Sequence, residues 1–195
     1  MSIRGIVLVI GLASIAAGCG SSPPVRYYTL NAPDAPAVAA APAKAALTVT
    51  VGPATVPDAV DRAQIVLRVG ANRVERSEFD RWGEELKLAI PRVVAANLAQ
   101  QIAPAQVFVY SPSMPPADFR VLIDVERFES EPAGAVTVEA SWSILPRAKG
   151  EPKAGRSVVR EPTGAAGFDA LVAAHSRALA AVSRDIAGAI GSMSR

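Results

Sequence analysis

Phe119-Arg120-Val121-Leu122-Ile123-Asp124-Val125-Glu126 sets Phe119, Val121, Ile123 and Val125 against Arg120, Leu122, Asp124 and Glu126. That period of two is the pattern of a strand with one buried face. Glu131-Pro132-Ala133-Gly134 turns the chain back, and Val136, Val138, Ala140, Trp142 and Ile144 then alternate with Thr137, Glu139, Ser141 and Ser143. The two runs predict a long antiparallel hairpin with one apolar face. Such a face needs a covering layer, and the segments on either side supply candidates.

On the N-terminal side, Phe79, Trp82, Leu86, Ile90, Val93, Asn97 and Gln101 recur at three- and four-residue spacing, with Val94, Leu98 and Ile102 widening the stripe. Ser77 reads as the N-cap of this helix, with Asp80 at the third position as a partial capping box. Pro91 has no amide to donate to Lys87, which predicts a kink or a break with Pro91 opening a second segment. On the C-terminal side, Gly164 to Gly167 leads into a closing helix that sets Phe168, Leu171, Val172, His175, Leu179, Val182, Ile186 and Ile190 on one side. Its small residues, Ala173, Ala174, Ala178, Ala180, Ala181, Ala187 and Ala189, suggest close approach of a second subunit. Alanine is also simply a good helix former.

Shorter strand signals fill the gaps. Leu47, Val49 and Val51 alternate with Thr48 and Thr50 until Gly52-Pro53 and Pro57 break the run. Gln64 to Val69, the turn Gly70-Ala71-Asn72 and the return Arg73 to Glu75 read as a hairpin. Val107 to Tyr110 and Arg156 to Glu161 read as further strands, and Trp82 and Trp142 fall on apolar stripes as core anchors. The expected class is α+β, a mainly antiparallel sheet with two long helices packed on one face.

The N-terminus carries a different message. Arg4 is followed by an apolar or small-residue run from Gly5 to Ala17, shorter than the ~20 apolar residues that span a bilayer, so it reads as a signal peptide. It closes on Ala16-Ala17-Gly18-Cys19, which resembles a bacterial lipobox, and Cys19 is then the lipid-bearing N-terminus of the mature chain. The organisation is therefore a signal peptide over 1–18 and an anchor over 19–46. The anchor holds a short strand, Val25 to Leu30, and an Ala/Pro-rich segment from Asn31 to Ala46. A single α+β domain over 47–195 follows.

Composition excludes several functions. One cysteine in the chain permits no intramolecular disulfide and no thiolate metal site, and one histidine with it permits no metal cluster; no cofactor motif is present. A formal net charge of +2, part of which is Arg4 in the signal peptide, argues against nucleic acid as partner. Any Ser-His-Asp chemistry has to use His175, which sits in the apolar ladder of the closing helix. Asp118, Asp124 and Glu126 read as the polar face of an exposed sheet.

The run Val51-Gly52-Pro53, Pro57, Asp61-Arg62, Gln64-Ile65-Val66, Arg68, Asn72 and Arg81-Trp82 is followed by Asp118 to Phe128 and Gly134 to Trp142. Together with Tyr27-Tyr28-Thr29-Leu30, it resembles the ABC-type transport auxiliary lipoproteins, the PqiC-like family. Leu67 and Glu84-Glu85 depart from that pattern. The resemblance implies a periplasm-facing outer-membrane lipoprotein that works with an ABC transporter and its MCE-domain, membrane-bridging protein in lipid trafficking and envelope integrity. A non-catalytic protein of this kind acts through surfaces and is expected to form a homo-oligomer. Arg62, Arg68, Arg81 and His175 are the candidate partner interface, with solvated surface or local ion pairs as the competing reading of the arginines. Two alternatives belong to other classes: a periplasmic lipoprotein hydrolase using His175, and a purely structural envelope lipoprotein.

Overall fold

A computed structural model of the chain describes residues 23–33, 47–102, 104–132 and 134–194. The signal peptide, Cys19 and most of the Ala/Pro-rich segment lie outside the described residues. In chain order the elements are β1 (Arg26–Tyr28), β2 (Leu47–Thr55), β3 (Gln64–Gly70), β4 (Arg73–Trp82), α1 (Leu86–Gln101), β5 (Ala105–Val109), β6 (Phe119–Ser130), β7 (Ala135–Pro146), β8 (Lys153–Pro162) and α2 (Phe168–Met193).

The predicted hairpin is β6 paired antiparallel with β7 over nearly its full length, from Phe119↔Pro146 to Ser130↔Val136. It forms the centre of a five-stranded sheet ordered β5-β2-β6-β7-β8. Its apolar face is covered by both helices side by side, α1 over β2 and β5 and α2 over β7 and β8. Val49, Val51, Val121, Val136, Val138, Ile144, Ile90, Val93, Leu98, Ile186 and Ile190 are fully buried between them. The class is α+β, as the alternation predicts. A second, three-stranded sheet ordered β1-β4-β3 lies beside the first. Parallel pairings join β1 to β4, and β2 to both β5 and β6.

Local readings change where tertiary contacts override them. The predicted helix from Ser77 does not begin there: residues up to Trp82 continue β4, and α1 starts at Leu86. The Ser77 and Asp80 signal is real but serves a strand. The Ser77 hydroxyl accepts from the Asp80 amide at 3.1 Å, inside a stretch where β4 advances five positions, from Arg76 to Arg81, while β3 moves two, from Val66 to Gln64. An Asx/Ser-type local bond satisfies the backbone of a bulge as readily as that of a helix end. Pro91 does not break α1, which runs through it. The one bond its ring forbids is to Lys87, the second residue of the helix and an exposed one, so the loss falls in the first turn, at a solvent-facing position. Gly52-Pro53 does not end β2 either. The strand shifts register between Val51 and Ala54 and carries on to Thr55, with Gly52 at φ 114, a conformation that glycine adopts without steric penalty.

Two features of the hairpin escaped its alternation. A bulge between Val125 and Arg127 resets the parity of β6, so that Phe128 and Ser130 point inward. The second face of β7 is also less open than expected: Thr137 and Glu139 are buried, because Arg127 and Arg156 lie over Glu139 and pair with it. Trp142 occupies the apolar face, its indole N–H donating to Ser157 Oγ at 3.1 Å. Its register partner across β8 is Gly155, where a β-carbon would overlap the indole.

Candidate functional site

β1 is only three residues long, so strand pairing alone holds it weakly. Arg26 and Tyr28, two residues apart, share one face of the strand and converge on Asp80 of β4. Arg26 Nε donates to Asp80 Oδ1 at 2.8 Å and the Tyr28 hydroxyl donates to the same oxygen at 3.0 Å. Ser77 Oγ donates to the other oxygen at 2.7 Å. Asp80 is 3% exposed. Burial works to raise its pKa, but the hydrogen bonds from Arg26, Ser77 and Tyr28 outweigh burial and hold the carboxyl below its ordinary value. The Tyr28 phenol is pushed up by burial and by the bond to that carboxylate.

The segment after β1 is tied to both helices. Gly83 N–H donates to Tyr28 O at 2.8 Å, Arg92 Nη2 to Leu30 O at 2.9 Å, and Asn31 N–H to Ser176 Oγ at 3.3 Å. Leu30 is fully buried, and the Tyr28 ring lies 5.9 Å from that of Phe168. The strand next to the expected anchor is thus clamped by one carboxylate, two helices and an apolar plug. Neither composition nor periodicity pointed to Asp80. The signal that was available was Arg26 and Tyr28 at strand spacing with no local acid to pair with.

The expected interface residues fall in three different settings. Arg62 is exposed, and its guanidinium donates to the Asp58 carbonyl at 3.1 Å. Arg81 follows it closely in space, since the Trp82 amide bonds Ala63 O at 2.7 Å and Arg81 faces Gln64 in register. Its Nε is buried without a partner. Arg68 lies near the far end of β3, on the order of 15–20 Å along the strand from Arg62. It pairs with Glu129 of β6, which also accepts from Arg127 at 2.7 Å. The structure therefore brings Arg62 and Arg81 together and assigns Arg68 to a local ion-pair network.

His175 is a correction to the expected interface. It is 0% exposed, stacked on Phe128 with ring centroids 3.9 Å apart and edge-on to Trp82 at 6.1 Å. An apolar ladder position on a helix that covers a sheet points into the core, so the side chain offers nothing to a partner. Its Nε2 is 2.8 Å from Ser130 Oγ, while Nδ1 has no partner. Burial drives its pKa down to about 3. Several small residues of α2 are likewise used within the chain: Ala174, Ala178, Ala180 and Ala189 are buried and let α1 and the sheet approach. Ala173 remains exposed, with Ala181 and Ala187 partly so.

The carboxylates of the hairpin are engaged in structure. Asp118 accepts from the Thr48 amide at 2.8 Å and hydroxyl at 2.6 Å, which depresses its pKa. Asp124 accepts from Thr55, and Glu126 from Ser141 and Arg156. A cleft of about 820 Å³ opens at the end of the sheet between Leu47, Phe119, Arg147, Lys149 and Met193 and is wide to solvent. Among the described residues no group of three His, Cys, Asp or Glu converges on a metal-sized site.

The family described as ABC-type transport auxiliary lipoprotein component matches residues 28–187. No curated protein is matched. Among solved structures, the chain is similar to an uncharacterized protein with a TM-score of 0.70 at 20% identity, over 86% of this chain and 99% of that one. It is also similar to a DUF330-family protein from Xanthomonas campestris, with a TM-score of 0.64 at 21% identity, over 86% and 99%. At these identities the likeness to both structures is one of fold.

Proposed function

Because this chain belongs to the ABC-type transport auxiliary lipoprotein family, we propose that it is a non-catalytic accessory subunit held in the outer membrane and facing the periplasm. There it docks the MCE-domain protein of an ABC transporter and supports intermembrane lipid trafficking and envelope integrity. The family match is the observation that carries this reading. A lipoprotein needs a cysteine to acylate, and Cys19 is the single cysteine of the chain. Gly20 and Ser21 follow it, without the Asp that often retains lipoproteins in the inner membrane, so onward export is the default. Residues 47–195 are read as one domain, and the β1 segment that links it to the anchor docks into the same core, which takes in Leu30 and packs Tyr28.

The hydrolase alternative has to run through Ser130 and His175. Both are buried, His175 has no acid to orient it, and a pKa of about 3 makes it a weak base at neutral pH. These facts favour the non-catalytic reading. Arg62, exposed and without an acidic partner among the described residues, is the proposed contact for the MCE-domain protein, and the chain is proposed to act as a homo-oligomer. The test is co-purification of the full chain from membranes with the MCE-domain protein encoded beside it. We expect recovery with the unaltered chain, loss with Arg62→Glu, and release of a soluble protein with Cys19→Ser. No recovery with the unaltered chain would remove the reading, and sedimentation of residues 25–195 as a monomer at tens of micromolar would remove the oligomer.

A further inference from the structure

The clasp on β1 fixes how far the domain stands from its anchor. Cys19 precedes Arg26 by seven residues, a span of at most about 25 Å when fully extended. Were β1 free, the next fixed point would be Leu47, and the same arithmetic gives close to 100 Å. Asp80 therefore turns a long leash into a short one, and the surface around β1 is the part of the domain that a membrane-inserted Cys19 holds nearest to lipid.

That surface has the chemistry of a membrane interface. Val25 is 37% exposed and Tyr27 65% exposed, two of the large apolar or aromatic side chains that the fold leaves uncovered. Tyr27 faces Arg81 in the β1–β4 register. Among the described residues Arg81 has no carboxylate partner, as Arg62, Arg76, Arg120, Arg147 and Arg184 have none, whereas Arg26 on the same short strand as Tyr27 is committed to Asp80. Tyrosine favours the headgroup level, where its ring is in apolar surroundings and its hydroxyl is wet. An arginine without an acid is complementary to lipid phosphate.

We propose that Val25, Tyr27 and Arg81 form a membrane-contacting surface that seats on the headgroup layer carrying the anchor, with Asp80 as the positioning residue that presents it. This inference rests on the reading that Cys19 is acylated. The domain is then oriented on the membrane rather than swinging from it, and Arg62 beside the patch meets its protein partner close to the bilayer.

The test uses the full chain in vesicles of phosphatidylethanolamine and phosphatidylglycerol. Tyr27→Cys, and separately Ser113→Cys on the proline-rich loop before β6, carry an environment-sensitive fluorophore; the acylated Cys19 takes no label. Lipids with a headgroup spin label should quench the label at 27 several-fold more strongly than the label at 113. Arg81→Gln should weaken that quenching in vesicles containing phosphatidylglycerol, and Asp80→Asn should weaken it in every composition by releasing β1. Equal quenching at 27 and 113, in protein that floats with the vesicles, overturns this inference alone. Failure of the unlabelled chain to float overturns it together with the acylation reading.

Discussion

The two sheets are built from different forces. The five-stranded sheet buries one apolar face under two helices, and its members lose water over a broad contiguous area. The three-stranded sheet has fewer buried apolar groups: Asp80 with Arg26 and Tyr28 clasps β1 to β4 within it, and point contacts, Arg68 with Glu129 and the Trp82 side chain against Phe128 and His175, join it to the rest. Dispersed apolar burial is hard to undo locally, whereas a polar clasp is undone by one substitution. The first region therefore supplies stability and the second supplies position.

The sharpest way to break this contrast is Trp142→Ala in the large sheet. Deleting a buried aromatic costs about 3–5 kcal/mol, a large share of the stability of such a domain, and the loss should be global. A melting temperature unchanged by the substitution would show that the helix-covered face does not carry the fold.

His175 sits at the seam between the two regions and makes their joint pH-sensitive. Its folded pKa of about 3 lies below the ordinary histidine value of 6.5, so below pH 6.5 the unfolded chain takes up a proton that the folded chain refuses. Stability is full above that pH and falls as pH drops toward 3, at up to about 1.4 kcal/mol per pH unit. Asp80, also depressed, contributes above the ordinary carboxylate range and loses its contribution only as pH falls through its own lowered pKa. A slope between pH 7 and 5 therefore belongs to His175. Urea unfolding across this range should show it in the native chain, and His175→Phe should flatten it.

Asp80→Ala tests the second region. Leaving Arg26, Tyr28 and Ser77 without their acceptor should cost about 1–3 kcal/mol. The effect should be confined to β1 and its neighbours, with faster hydrogen exchange at the Gly83 and Asn31 amides and unchanged exchange through β6 and β7. Exchange that rises equally in both sheets would show that the two regions do not open separately. The smallest effect is expected at Arg160, which meets both oxygens of Glu131 at 2.8 Å on the open surface. Solvent screening makes such a pair nearly neutral, and Arg160→Ala should leave the melting temperature within error.

The sequence by itself determined the hairpin, the closing helix, the α+β class and the poverty of catalytic groups, because side-chain period is a local property that survives whatever the chain packs against. Trp142 was legible as a core anchor for that reason. The tertiary structure decided the rest. Residues 76–82 carry a helical spacing and a capping signal, yet pair as β4 because β1 and β3 offer backbone partners on both sides. Asp80 finds Arg26 and Tyr28 across more than fifty residues of chain, and His175 passes from the expected interface to the core because the helix face that carries it meets Phe128 and Trp82. Period states which side of an element is apolar; it does not state what lies opposite, and partners, parity past a bulge and the pairing of charges all depend on what lies opposite.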